Sequence, residues 1–164
     1  MHKVLLSVLL SLILVAAGSS VAFALQSGGA EIGDLETGSV VGQPFKELDV
    51  DLTITAMKIG GKKVWYPPTS ILNLTASGTG GRAGRPVLIK VVNSLDSEHG
   101  FDLNADSAFA GPTSLHVKIV LKPGETKYIG IPISDLTYVT ASNVLNYKCQ
   151  LHNAHLGGQL LILR

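Results

Sequence analysis

The chain has 164 residues with 13 basic and 12 acidic side chains, a formal charge of +1. Beyond Lys62-Lys63 there is no run of lysine or arginine and no basic arm. The clustered positive charge that phosphate binding relies on is missing, so nucleic acid is excluded as a partner.

The N-terminus opens Met1-His2-Lys3 and runs apolar from Val4 to Ala17, broken only by Ser7 and Ser11. Gly18-Ser19-Ser20 and then Val21-Ala22-Phe23-Ala24 follow. A short basic start, an apolar stretch and an Ala-x-Ala end are the parts of a secretory signal, cut ahead of Leu25. A retained anchor is the alternative, since the stretch lies near the lower limit of the ~17–25 residues that span a bilayer. Membrane contact is expected only in that case. Cleavage leaves residues 25–164, 140 residues, enough for one domain with an apolar core. The expected location is the periplasm or another extracytoplasmic compartment. Intact mass of the exported protein is expected to match a chain starting at Leu25, and a mature species that keeps Met1 to Ala24 overturns this.

Residues 25–45 are rich in glycine, serine and small polar types and read as a flexible leader or an irregular edge strand. The domain proper is expected over 46–164. Between Leu48 and Ile59, Val50, Leu52, Ile54 and Ala56 alternate with Asp49, Asp51, Thr53 and Thr55, the period of a half-buried strand. Gly60-Gly61 turns the chain, Lys62 to Tyr66 extends again, and Pro67-Pro68 stops it. Ile71 to Leu74 is a short apolar piece, and residues 77–84 form a glycine-rich loop. In Pro86 to Asn93 both alternating faces are largely apolar, which predicts a central strand. Leu115 to Leu121 places Leu115, Val117, Ile119 and Leu121 on one face, with His116 and Lys118 on the other facing solvent. Lys122-Pro123-Gly124-Glu125 is a turn and Thr126 to Ile131 a strand. Ser134 to Leu145 has room for a turn or two of helix. Tyr147-Lys148-Cys149 ends one run, and Gly158 to Leu163 closes the chain. Seven or eight short strands with almost no helical period predict an all-β fold, a two-sheet β-sandwich.

Cys149 is the single cysteine, so it cannot form an intramolecular disulfide. In an exported protein such a thiol is buried, paired between chains or held by a metal. Its neighbours bear on the choice. The segment Cys149-Gln150-Leu151-His152-Asn153-Ala154-His155 brings two imidazoles next to the sulfur, between one predicted strand and the last. Thiolate and imidazole are soft to borderline donors that suit copper or zinc and suit magnesium or calcium badly. His99 lies in Asn93-Ser94-Leu95-Asp96-Ser97-Glu98-His99-Gly100-Phe101, just after the central strand. Both strands can end at one pole of a sandwich, which lets His99 complete a Cys-His-His set; a surface histidine at a turn is the alternative. Phe101 is expected to anchor that loop in the core and Gly100 to relieve crowding beside the ring.

Two paired motifs, Val91 to Phe101 and Tyr147 to His152 continuing into Gly158 to Ile162, resemble those of the cupredoxins, the small blue-copper proteins. A weaker likeness spans Leu52 to Met57 and Tyr66-Pro67. The resemblance covers residues 48–164 and implies a Greek-key sandwich binding one copper ion. It puts the family's first histidine ligand on His99, its cysteine on Cys149 and its second histidine on His152. The axial methionine of members with the shortest ligand loop falls on His155, where this chain departs from the pattern. The remaining methionine after the N-terminal segment, Met57, lies far upstream. A dinuclear copper centre needs two cysteines and is excluded. The function implied is one-electron transfer with a redox partner protein, rather than catalysis. A copper carrier, store or sensor working with a copper-handling protein is the alternative, and a small-molecule-binding copper enzyme a third.

Overall fold

The computed structural model describes residues 25–27, 29–74, 84–105, 115–139 and 143–164. The N-terminal segment 1–24 and nearly all of the glycine-rich loop at 77–84 lie outside these residues.

Two sheets carry the fold. The first holds β1 (Leu25–Ser27), β7 (Thr69–Asn73), β9 (His99–Ala105), β10 (His116–Leu121), β12 (Val144–Lys148) and β13 (Gly158–Leu163), in the order β1-β10-β9-β12-β13-β7. The second holds β2 (Glu31–Gly33), β5 (Leu52–Ile59), β6 (Lys62–Tyr66), β8 (Val87–Asn93) and β11 (Thr126–Ile131), in the order β2-β11-β8-β5-β6. A small hairpin pairs β3 (Ser39–Val40) with β4 (Gln43–Pro44). Pairing is antiparallel except for β5 with β8 and β13 with β7. Strand order departs from chain order because the chain passes from sheet to sheet, from β8 to β9 and from β10 to β11, as a Greek-key sandwich requires.

Period-two alternation explains the core. Val117, Ile119 and Leu121 of β10 point inward, as do Leu103 and Phe101 of β9, Leu145 and Tyr147 of β12, and Ile54 and Ala56 of β5. Trp65 of β6 meets Phe101 edge-on at 5.0 Å, and Phe101 stacks on Tyr147 at 5.9 Å. This aromatic row buries a large apolar area across the gap between the sheets. Ile71, expected to be part of an apolar piece, instead points outward on β7 while Ser70 and Leu72 turn in.

The central strand β8 lies between β11 and β5; one face is fully buried, and on the other Leu88 is buried while Lys90 and Val92 are partly exposed. Val87, Ile89 and Val91 belong to the main core. Leu88 faces the other way, into a second cluster with Val40, Phe45, Leu48 and Tyr128. Residues 29–48 supply most of that cluster. They fold over the outer face of the second sheet, with Phe45 fully buried. Gly130 makes room for it, since a Cβ there would press on Phe45 Cε1 at 2.6 Å and on Val40 at 2.7 Å. β1 and β2 then occupy one edge of each sheet. Within Ser134 to Leu145 the described residues form one short helical turn at Asp135–Val139.

Candidate metal centre

The strand expected to precede His99 is β8, but His99 is not a loop residue: it begins β9, a strand absent from the reading of the sequence. β9 was hidden because alternation is lost there. Gly100 and Asp102 are buried on the face opposite His99, Phe101 and Leu103, so polar and small residues occupy inner positions on both faces. His116 does face outward, yet it is not a free solvated side chain. Its Nε2 lies 3.0 Å from Oδ1 of the buried Asp102, which also accepts from Asn104 Nδ2 at 2.8 Å.

Antiparallel pairing puts the start of β9 beside the end of β12, with Asp102 opposite Lys148. Cys149 follows Tyr147 by two residues, and His99 precedes Phe101 by two. The inward face that carries the aromatic row therefore also carries the sulfur and the first imidazole. The turn His155 N to His152 O, at 3.1 Å, folds the remaining loop over them. Leu156 N then donates to Lys63 O at 3.1 Å and Trp65 N to Leu156 O at 2.9 Å, fastening the end of the loop to β6. Gly157 packs too close to the Tyr147 carbonyl to carry a side chain, and at Gly158 a Cβ would meet Tyr147 Cε2 at 2.5 Å. The glycines thus serve close approach, as their position in the sequence suggests.

One ligand atom each from His99, Cys149, His152 and His155 lies within 4.8 Å of the others. Cys149 Sγ is 3.4 Å from His152 Nδ1 and 3.9 Å from His99 Nδ1. The His155 ring centroid is 4.6 Å from that of His99 and 4.5 Å from that of His152. Donors about 2.0–2.3 Å from one ion at trigonal or tetrahedral angles stand roughly 3.5 Å apart, so the spacing fits a single ion. His99 and Cys149 are buried, while His152 and His155 reach partly into solvent. All four histidine and cysteine positions singled out in the sequence come together.

The electrostatics favour neutral, ligating imidazoles. Burial first, then the charges of His155, Lys63 and His152, lower the His99 pKa from 6.5 to about 4, against a small opposing pull from Asp96. His155 is also lowered, by burial and then by His152 and Lys63. A metal entering at neutral pH need not displace a proton from either ring.

Three residues around the centre were not assigned a role from the sequence. Asn93 is fully buried at the end of β8. Its Nδ2 is within reach of the carbonyls of Ser97 at 2.8 Å, Lys122 at 3.0 Å and Leu121 at 3.1 Å, and its Oδ1 accepts from Leu95 N at 3.1 Å. It shapes the loop that delivers His99. The Asn93→Ala variant is expected to lose about 2–3 kcal/mol of stability in denaturant unfolding, because the Leu121 carbonyl is left buried without that donor. A loss under about 0.5 kcal/mol contradicts this role. Gln150 lies over Gly100 and donates to Ile119 O at 2.9 Å, so the crowding that Gly100 relieves comes from this side chain and not from the imidazole. Ser97 Oγ stands 3.1 Å from His99 Nε2. Its only signal in the sequence was a hydroxyl two positions before the histidine.

The fold and the site together define a two-sheet β-sandwich with a one-cysteine, three-histidine cluster at one pole. No protein-family model matches the chain, and no curated protein does. Solved structures of similar shape are cupredoxins. A reduced Cu(I) form of an amicyanin variant is 10% identical over 82% of this chain and 99% of that one, with a TM-score of 0.47. Dithionite-reduced auracyanin from Roseiflexus castenholzii is 12% identical over 69% and 96%, at 0.46. A purple cupredoxin from Nitrosopumilus maritimus is 13% identical over 68% and 99%, at 0.43.

Proposed function

We propose that this chain is a mononuclear copper protein of the cell envelope that carries single electrons, with His99, Cys149 and His152 as principal ligands and His155 as the fourth donor. The observation that carries the reading is the convergence of one thiol and three imidazoles within 4.8 Å on a strand framework. A single thiolate with two imidazoles is the donor set of electron-transfer copper sites, in which a further axial ligand tunes the potential. Bound copper supplies a one-electron couple between Cu(I) and Cu(II). The protein's part is to hold the donors still, so that little rearrangement accompanies the change of charge. Cys149 and His99 are fixed by the core, and the hydrogen bonds of Asn93 and Leu156 fix the two loops.

The partly exposed imidazoles of His152 and His155 give a redox partner protein close access to the centre. The same openness suits hand-off of the ion, which keeps a copper carrier, store or sensor as the second reading. The N-terminal basic, apolar and Ala-x-Ala pattern supports an extracytoplasmic location. Copper titration of the metal-free protein, with metal analysis and voltammetry, tests the proposal. One copper per chain with a reversible one-electron couple is expected. Preferential retention of zinc, or rapid loss of copper to a chelator, overturns electron transfer.

A further inference from the structure

One residue of the β5–β6 hairpin meets the centre twice. The Lys63 carbonyl accepts from Leu156 N at 3.1 Å, next to His155. Its side-chain Nζ donates to Ser97 Oγ at 3.1 Å. Ser97 Oγ in turn lies 3.1 Å from His99 Nε2, while Nδ1 of the same ring faces the Cys149 sulfur. We propose that Lys63 is a positioning residue for the copper site, which acts through Ser97 to hold the His99 ring with Nδ1 toward the cluster and places a fixed positive charge beside it that favours the reduced state. This rests on the copper reading above.

The chemistry follows from the inventory of donors and lone pairs. A histidine that ligates through Nδ1 carries its proton on Nε2 and needs an acceptor there. The serine oxygen has two lone pairs, enough to accept from the imidazole and from the ammonium together. An outer partner of this kind fixes both tautomer and ring orientation. The ammonium also acts through space. A site holding a thiolate has one more positive charge with Cu(II) than with Cu(I), so a nearby cation penalises the oxidised form.

The test compares wild type with Lys63→Met, which removes the charge, Lys63→Arg, which keeps it, and Ser97→Ala, which cuts the link. Potentiometry on the copper-loaded proteins gives the ratio of Cu(I) to Cu(II) affinity. Lys63→Met is expected to lower that ratio roughly three- to tenfold, less at high salt, as for a partly exposed charge in a medium of effective dielectric constant about 20 or more. Lys63→Arg should stay close to wild type. Nitrogen-15 NMR of the copper-free proteins reads the ring itself. His99 should carry a slowly exchanging proton on Nε2 in wild type, which exchanges faster in Lys63→Met and is lost from view in Ser97→Ala. A Lys63→Met protein with wild-type affinity ratio and wild-type His99 signals overturns the proposal, as does a wild-type His99 protonated on Nδ1. If the wild type takes up no copper, the copper reading fails on its own, and the copper-free spectra still decide whether Lys63 and Ser97 hold the ring.

Discussion

Serine in place of Cys149 is expected to abolish the strong thiolate-to-copper absorption and to weaken copper binding by well over the roughly 10–100-fold that loss of an outer partner brings. The sulfur is the single soft donor of the cluster, Cys149 is buried by the fold, and Sγ lies 3.4 Å from His152 Nδ1 and 3.9 Å from His99 Nδ1. A hydroxyl is nearly the same size, so the core around Tyr147 and Phe101 need not rearrange, and the loss reports the ligand rather than the fold. It remains protonated at neutral pH and brings neither the negative charge nor the polarisable lone pairs that stabilise Cu(I). His99→Ala and His152→Ala should each weaken binding less, because the thiolate and two imidazoles remain. A Cys149→Ser protein that binds Cu(II) with unchanged absorption shows that the thiol is not a ligand.

Methionine in place of His155 is expected to make the oxidised protein bluer and to raise its reduction potential. The imidazole is a stronger donor than a thioether and prefers Cu(II), whereas a thioether is a weak, long axial ligand. If the exchange removes about one to two powers of ten of Cu(II) preference, the potential rises by about 60–120 mV at 59 mV per tenfold for one electron. The geometry supports ligation, since the His155 ring stands 4.6 Å from His99 and 4.5 Å from His152. The backbone of Leu156 is tied to Lys63 and Trp65, which keeps His155 over the cluster. Absorption, paramagnetic resonance and potentiometry on both forms decide it. Unchanged spectra and potential place His155 outside the coordination sphere.

Much of this was written in the sequence where local rules act. Lys62 to Tyr66, Thr126 to Ile131 and Gly158 to Leu163 have the same bounds in the sequence reading and in the structure, because Gly60-Gly61 and Pro67 bound the first, Pro123-Gly124 and Pro132 the second, and Gly157-Gly158 open the third. The donor set was legible for a different reason. Cys149, His152 and His155 share one short loop, and a single cysteine three and six residues ahead of two histidines stands out in the sequence itself. His99 could be joined to them through strand order, since a sandwich returns alternate strands to the same pole.

What the tertiary structure decided are the interactions between residues distant in sequence. No local pattern marks β9, where Gly100 is small to admit Gln150 and Asp102 is buried against His116. Residues 29–48 lack alternation, yet they cover the outer side of β8 because Leu88 and Tyr128 need an apolar partner and Phe45 provides one. The Lys63–Ser97–His99 chain joins residues 34 and 2 positions apart. Its physical basis is side-chain reach from β6 to the loop between β8 and β9 and on to the first residue of β9, and that depends on where the sheets bring their ends together.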